Sequence, residues 1–336
     1  MTSYRESEVT EDLGGREGYR KFRLSDGSRA YSLTQLTGPV EVGDKVVINT
    51  TAVELGLGSG GWHVVHWNLT RGPWSQAGPG HLMKMRYTSL QADTGAAEED
   101  GEVNNDLEGM PVIVGGVHSQ VPAIAAMIDA QRPGTRVAYV MTDGAALPLA
   151  MSDMIASLLE KDLIHSTVTT GHAFGGDLEA LNVPSALTLA RHRLGAEICV
   201  VAMGPGIAGT GTRLGFTGLE VAPALDGAAW LNGRPVACLR CSNGDQRDRH
   251  RGISHHSLTV LDAVRSEVDV ALAPTVEPHG SRHRWHRVEP GDVGQVLASH
   301  GIRVTTMGRT TSEDPLFFAS AGAAGVLGAQ MVDGAV

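Results

Sequence analysis

The chain has 336 residues and a formal net charge of −10, so two domains are expected, because one core usually stops growing near about 250–300 residues. The acidic balance argues against a non-specific nucleic-acid binder, which needs a basic surface to displace counterions. A membrane span and a signal peptide are not expected, since no run of about 18 apolar residues occurs and residues 1–15 are polar and acidic. The three cysteines are too few for a disulfide scaffold and favour a cytoplasmic location.

The first part of the chain has the pattern of short β-strands. Apolar and polar residues alternate between residues 19 and 70, with Gly and Asp between the runs. This period of two predicts antiparallel strands in a small barrel-like domain over residues 1–88. Residues 89–109 are acidic and have no periodicity, which predicts a surface loop or linker.

From residue 110 to residue 336 the pattern changes to apolar runs followed by Gly-rich turns and helical segments. This alternation predicts an α/β domain with a Rossmann-like, mostly parallel sheet and helices on both faces. Strands are predicted near residues 111–114, 136–141, 166–170, 197–203, 235–239, 268–273 and 302–307. Helices are predicted near residues 120–130, 148–160, 177–194, 256–266, 293–299 and 314–328.

Small hydrogen-bonding residues follow five of these strands. Because ligands of such sheets bind outside the carboxyl ends of the strands, we expect these loops to converge on one site. The candidate ligand-binding residues are His118, Ser119, Gly144, Gly175, Gly176, Gly204, Gly206, Gly209, Thr210, Gly211 and Thr212.

The segment over residues 204–212, called the glycine loop below, carries the strongest of these signals. Its four glycines and two threonines leave backbone N–H groups unshielded, as in loops that bind phosphate or carboxylate. It contains a Gly-x-Gly-x-x-Gly pattern, but no clear helix follows in the sequence, which argues against a conventional dinucleotide site. It also lacks the lysine of a P-loop.

Histidines in or near the loops are candidate acid–base groups, together with neighbouring carboxylates. The predicted catalytic residues are His172, His255, His256, Asp143 and Asp177. Ser254 is expected to cap the helix that begins at these last two histidines. A divalent-metal site would result if the histidines met aspartates in space. The sequence identifies neither a metal nor a cofactor.

Three other features are assigned structural roles. Cys238 and Cys241 are spaced like metal or redox ligands, but they lack a second pair and are interpreted as buried thiols. No serine lies in a Gly-x-Ser-x-Gly elbow, which argues against an ordinary α/β-hydrolase. The basic run over residues 279–287 is interpreted as a surface connection.

Three longer stretches carry a family resemblance: residues 171–182 (GHAFGGDLEALN), residues 202–212 (AMGPGIAGTGT) with 215–220 (GFTGLE), and residues 250–256 (HRGISHH). In these the chain resembles an uncharacterised bacterial family, frequent in actinobacteria, that is known as a domain of unknown function. The likeness runs over residues 39–328. The resemblance implies a shared architecture and a shared site, and it names no reaction.

Two functions stay open at this point. The first is an enzyme that acts on a small anionic metabolite, with the glycine loop as the anion site and histidines as proton carriers. The second is a non-catalytic ligand sensor or an assembly protein, and a homo-oligomer is expected. A nucleic-acid partner that uses the basic run is disfavoured by the acidic charge.

Overall fold

The computed structural model of the chain describes residues 2–280 and 282–335. It divides into two compact units between Gly95 and Ala96. The first unit contains a closed five-stranded barrel. Its strands follow one another in the order β1-β2-β3-β5-β4, and only the pair β3–β5 is parallel. Their bounds are Tyr4–Arg16 (β1), Tyr19–Leu24 (β2), Arg29–Leu33 (β3), Lys45–Asn49 (β4) and Trp62–Asn68 (β5).

The barrel confirms the predicted small β fold and adds one long strand. Alternating residues, among them Phe22, Leu24, Val46 and Ile48, fill its interior. β1 was not expected, because its polar sequence buries only Val9 in this core. Short elements complete the unit: helices α1 (Thr34–Thr37) and α2 (Thr51–Glu54) and the antiparallel strands β6 (Met83–Lys84) and β7 (Ala92–Asp93).

An eight-stranded, all-parallel sheet organises the second unit, in the order β11-β10-β9-β12-β8-β13-β16-β17. The strands of this sheet are β8 (Pro111–Gly115), β9 (Val137–Thr142), β10 (Ser166–Thr169), β11 (Leu178–Glu179), β12 (Ile198–Met203), β13 (Arg234–Cys238), β16 (Asp269–Leu272) and β17 (Arg284–Arg287). Two further strands, β14 (Cys241–Ser242) and β15 (Gly252–Ile253), pair only with each other. The central strands are buried on both faces, as their unbroken apolar runs predict.

Helices cover both faces of this sheet and confirm the Rossmann-like α/β fold. They are α3 (Val121–Gln131), α4 (Asp153–Glu160), α5 (Val183–His192), α6 (Val221–Trp230), α7 (His255–Ala263), α8 (Val293–Ser299) and α9 (Pro315–Val332). One face packs mainly against α3, α4, α8 and α9, and the other against α5, α6 and α7. Single 3-10 turns precede or join several of them: Ala97–Asp100, His118–Gln120, Leu149–Met151, Thr217–Glu220 and Asp248–His250.

Several elements of this unit differ from the predictions, among them the short strand β11 at the start of the helix predicted over residues 177–194. Residues 302–307 form no strand, because the chain turns back at Met307 and Gly308, which both have positive φ. The last strand of the sheet is instead β17, within the basic run, where Arg284 pairs with Asp269 of β16. Helix α6 was not predicted, because Pro and Gly inside it weaken the helical pattern. Ser281 of the basic run lies outside the described residues.

The acidic segment that follows Gly95 has contacts within the large unit that the sequence alone did not show. Glu98 accepts hydrogen bonds from the backbone N–H of Leu181 and from the hydroxyl of Ser185. Asp100 pairs with Arg193 at 3.1 Å. The acidic residues therefore anchor this segment to the region around α5.

Helix α9 has the length and apolar composition of a membrane span, and it is the one such helix among the described residues. About four fifths of it, 78 %, is buried inside the protein, as in the core helix of a soluble protein. Gly322, Gly325 and Gly328 form one side of it, and a Cβ on Gly325 would lie 2.4 Å from the carbonyl oxygen of Ile124. The glycines let α9 approach α3 and β8 closely.

Candidate functional site

The carboxyl ends of β8 and β12 lie side by side at the centre of the sheet. The chain leaves β8 through α3 on one face and leaves β12 through α6 on the other. Adjacent strands whose connections depart to opposite faces leave a crevice between their loops, where ligands of such folds bind. The loop after β8 contains His118, and the loop after β12 is the glycine loop.

His118 is held in this crevice by three hydrogen-bonding groups. Its Nδ1 lies 3.0 Å from the carbonyl oxygen of Met203, so Nδ1 carries the proton and donates. Its Nε2 then accepts from the hydroxyl of Ser152 at 2.8 Å, and the hydroxyl of Tyr139 lies 3.3 Å from Nδ1. Burial lowers the pKa of His118 to about 4. Ser152 is buried and caps α4, so the pair joins the β8 loop to that helix.

The glycine loop is an exposed hairpin. Gly209 and Phe216 form an antiparallel bridge, and the N–H of Thr210 donates to the carbonyl of Gly215 at 2.7 Å. Gly206 and Gly211 have φ values of 104° and 81°, which residues with a side chain rarely adopt. Within the described part of the chain, the N–H groups of these two glycines have no hydrogen-bond acceptor.

The base of this hairpin packs on a cluster of three histidines, His250, His255 and His256, called the histidine cluster below. The ring of Phe216 stacks on the ring of His256, with centroids 3.8 Å apart and planes 3° from parallel. A Cβ on Gly211 would lie 3.9 Å from Nη2 of Arg249, which precedes the cluster in sequence. The hairpin that carries the glycine loop therefore contacts the predicted catalytic residue His256 through Phe216, and the loop itself lies near Arg249.

The rings of the histidine cluster contact one another. Their centroids are 4.4 to 4.9 Å apart, and one ligand atom from each residue lies within 4.8 Å of the other two. Ser254 organises the cluster: its hydroxyl accepts from the N–H of His256 at 3.2 Å, as the expected cap of α7, and lies 2.7 Å from Nδ1 of His250. Nε2 of His255 is buried and has no partner among the described residues.

Beside the cluster lies a network of charged residues that the sequence did not predict: Arg240, Asp245, Arg247, Arg309 and Asp314, called the arginine–aspartate network below. Asp245 accepts two hydrogen bonds from the guanidinium of Arg247, at 2.9 and 2.8 Å, and lies 3.6 Å from both Arg240 and Arg309. Burial lowers the pKa of Arg240 to about 10. Nη1 of Arg240 reaches to 3.4 Å from Nδ1 of His256.

All three histidines of the cluster are held in the neutral form. Burial is the first cause, and it lowers the pKa of His250 to about 4 and that of His256 to about 3. The pKa of His255 is lowered as well, by burial and then by Arg249, Arg240 and Arg247. The arginines contribute in each case, so the electrostatic potential at the cluster is positive.

The carboxylate of Glu220, which contacts Thr142 at the end of β9, is poised to exchange a proton near neutral pH. Burial, and after it the charge of Asp143, raise the pKa of Glu220 to about 7, although a hydrogen bond from Thr142 opposes the shift. Glu220 lies four residues after Phe216, at the start of α6. Glu220 was not among the residues predicted from the sequence, because its environment depends on burial against β9.

Replacing Glu220 with Gln tests this environment. The pKa of Glu220 is raised in the folded chain, so its contribution to stability is complete below about pH 4.5 and is lost as the pH rises through about 7. Between pH 4.5 and pH 8 the free energy of unfolding of the wild type should therefore fall by up to about 3 kcal/mol relative to that of Glu220→Gln, which has no carboxyl group to ionise. Urea unfolding at both pH values measures the difference, with the exposed Glu102→Gln as control. Identical pH profiles for wild type and Glu220→Gln would contradict the raised pKa.

The remaining predicted residues lie in the loops that follow β8, β9 and β10. Asp143 accepts from the N–H of His172 at 3.0 Å, so these two candidates are neighbours. Asp177 instead accepts from the N–H and hydroxyl of Thr167 in β10. The structure does not join either aspartate to the histidine cluster through a contact among the described residues.

Several predicted ligand-binding groups already have partners inside the protein. The N–H of Gly175 donates to Glu179 at 2.6 Å and that of Gly176 to the hydroxyl of Thr169 at 3.1 Å. The hydroxyl of Ser119 donates to Thr306 at 3.3 Å. Gly144 lies against Glu220, where a Cβ would come within 2.5 Å of the carboxylate. The glycine loop is thus the most open of the predicted binding segments.

A small cavity of about 20 Å³ lies between α6, α7 and β13. Arg240, His256 and Phe216 contribute to its wall, and most of its other lining residues are apolar. Cys238 also lines it, and together with Cys199 and Cys241 it is a buried, unbonded thiol, as expected.

No curated protein and no solved structure matches this chain. Residues 29–325 match a family described as protein of unknown function, DUF3866, and this range includes all three stretches that carry the resemblance noted above. The match spans most of the α/β unit and the barrel strands β3, β4 and β5, and it begins after β1 and β2. The chain therefore belongs to the DUF3866 family of proteins of unknown function.

Proposed function

We propose that the large unit binds a small anionic metabolite, one that carries a phosphate or carboxylate, between the glycine loop and the histidine cluster. The observation that carries the proposal is the pair of contacts that join their flanking residues: Gly211 lies next to Arg249, which precedes the cluster, and Phe216, which follows the loop, stacks on His256. The open N–H groups of Gly206 and Gly211 supply hydrogen-bond donors without side chains in the way.

Charge supports an anion rather than a cation as the first ligand of the loop. Arg240, Arg247 and Arg309 share the carboxylates of Asp245 and Asp314, which leaves an excess of one positive charge, and Arg249 adds another. The arginines lower the pKa values of the nearby histidines because they make the potential positive there. The same potential would stabilise a bound phosphate or carboxylate.

If the site is catalytic, proton transfer is best matched to Glu220. A general acid or base works best when its pKa lies near the working pH, and the pKa of Glu220 is about 7. His256, with a pKa of about 3, is a weak base and is better suited to donate a hydrogen bond or bind a ligand in its neutral form. In addition to Glu220, we keep His255 and His172 as proposed proton carriers.

A thermal-shift screen of the purified chain tests anion binding. The probes are inorganic phosphate, small phosphate esters, nucleotides and di- and tricarboxylates, with 1,10-phenanthroline present so that traces of metal play no part. A ligand at about 100 times its dissociation constant adds roughly 2.7 kcal/mol of stability. We expect such a shift in the wild type and its loss in Arg249→Ala, because that substitution removes a charge next to Gly211.

Arg303→Ala is the matched control, since Arg303 is exposed and lies outside the site. It should keep the full shift. The anion site is ruled out if well-folded wild type shows no shift with any of these probes, or if Arg249→Ala and Arg303→Ala respond alike.

A sensor or assembly role is the second candidate, and one observation favours it. Trp230, at the end of α6, is 77 % exposed and borders a groove with the apolar Leu231. Exposed tryptophans are common at the centre of protein interfaces. A negative screen would favour this role and a homo-oligomer. Under either role we propose a cytoplasmic protein, because the three cysteines are unbonded and buried.

A further inference from the structure

We infer that His250, His255 and His256 form a binding site for one divalent transition-metal ion of the zinc class, held by three imidazole nitrogens. The inference goes beyond the proposed anion site and does not depend on it. It starts from the geometry of the histidine cluster, where one ligand atom from each residue lies within 4.8 Å of the other two.

The separation of the nitrogens is near what a metal requires. With Zn–N bonds of about 2.0–2.1 Å and tetrahedral angles, two ligating nitrogens are about 3.4 Å apart. Ligand atoms that already lie within 4.8 Å reach this spacing by small rotations of the rings. His255 and His256 lie in the first turn of α7, and His250 ends the 3-10 turn before it, so only a short segment has to adjust.

An unpartnered nitrogen is the second observation. Nε2 of His255 is buried and has no hydrogen-bond partner among the described residues. A buried polar atom without a partner costs about 1–3 kcal/mol, and most such atoms in native proteins have an explanation. A metal ion between the three rings would satisfy this atom, which ring packing alone does not.

Neighbouring groups hold two of the histidine rings in the way that metal-binding histidines are usually held. Nδ1 of His250 lies 2.7 Å from the hydroxyl of Ser254, and donation to it leaves Nε2 with a free lone pair. Histidines that bind metals typically donate their other N–H in this way. Phe216 stacks on His256 and restricts the rotation of that ring. The contact of Arg240 with Nδ1 of His256, at 3.4 Å, has to loosen when an ion binds.

The charges around the cluster indicate what kind of ion site this is. Three neutral imidazoles leave the ion with its full double charge and with an open coordination position. Arg240, Arg247 and Arg249 disfavour a bare cation but favour an anionic fourth ligand at that position. The cluster therefore suits a metal site that takes up an anion, rather than a closed structural site.

Metal analysis of the full chain tests the inference. The protein is loaded with Zn²⁺ in a chloride buffer free of phosphate and carboxylate, so that chloride or hydroxide takes the fourth position, and unbound ion is removed by desalting. Zinc content is then measured, and Zn²⁺ affinity is measured by calorimetry. We expect one Zn²⁺ per chain, and visible absorption bands of tetrahedral Co²⁺ when cobalt replaces zinc.

We expect His255→Gln and His256→Gln each to weaken Zn²⁺ binding by more than about tenfold. Loss of a group that only hydrogen-bonds a metal ligand already lowers metal affinity by about 10–100-fold. Both side chains are only half-buried, and circular dichroism checks that the variants fold. His279→Gln, at an exposed histidine outside the cluster, should bind Zn²⁺ like the wild type.

Wild type without stoichiometric zinc, or folded cluster variants that keep wild-type affinity, would overturn the metal site. The two proposals fail separately, since anion binding is measured with chelator present and metal binding is measured without phosphate or carboxylate. Zinc binding with no anion shift would support the metal site and reject the anion site. An anion shift without zinc binding would do the reverse.

Discussion

Replacing Asp314 with Ala is expected to lower the free energy of unfolding of the large unit by about 3–5 kcal/mol. Asp314 is fully buried where α9 begins. It accepts from the hydroxyl of Ser242 at 2.6 Å, from the N–H of Asn243 at 3.1 Å and from Nε of Arg309 at 3.0 Å. The substitution leaves these donors without a partner and removes the negative charge that faces a guanidinium.

Urea unfolding followed by circular dichroism measures the effect of Asp314→Ala. The matched control is Asp333→Ala, at the other end of α9, where the carboxylate is 56 % exposed and pairs with Arg132. A surface ion pair of this kind contributes about 0–1 kcal/mol, so the control should stay close to the wild type. Equal stabilities of the two variants would show that the network around Asp314 contributes little.

The second large effect is expected in the middle of α9. In an open helix, Gly→Ala stabilises by about 1 kcal/mol. At Gly325 the new methyl group would meet the carbonyl oxygen of Ile124 at 2.4 Å, and this atom belongs to the backbone of α3. Gly325→Ala should therefore destabilise the large unit by about 1–3 kcal/mol, and Gly325→Val by more, because the two helices must separate.

Thermal or urea unfolding gives the comparison for Gly325. Gly116→Ala is the control, because its Cβ would have an ordinary contact of 3.8 Å with Val221. It should change the free energy of unfolding by less than about 0.5 kcal/mol. A gain of stability in Gly325→Ala would mean that α9 and α3 are not in close contact.

The strands of the large sheet were predictable because their sequences obey a strong rule. β8 and β12 are buried on both faces, so almost every residue in them is apolar, and the runs stand out between polar turns. The placing of the loops after these strands at one edge of the sheet followed from the parallel order alone. This rule made the glycine loop, His255 and His256 candidate site residues without any knowledge of distances.

The other parts of the site depend on contacts between residues distant in sequence. Nothing local marks Glu220 as unusual, since its raised pKa comes from burial and then from the charge of Asp143, which is distant in the chain. The role of Arg240 is equally hidden, because its partner Asp245 and its neighbour His256 meet it only after β13 and α7 have packed. Periodicity also failed for β17, whose charged residues are tolerated only at a sheet edge.

The two outer strands of the large sheet have a consequence for self-association. An open sheet exposes unpaired N–H and C=O groups along its edges, where a second chain can add a strand and start aggregation. Here one edge is β11, only two residues long, and the other is β17, with the sequence Arg-Trp-His-Arg. A strand this short and a strand this charged are poor templates for strand addition. If copies of this chain assemble, the large units should associate through their helices, and amyloid-like growth from the sheet edges is disfavoured.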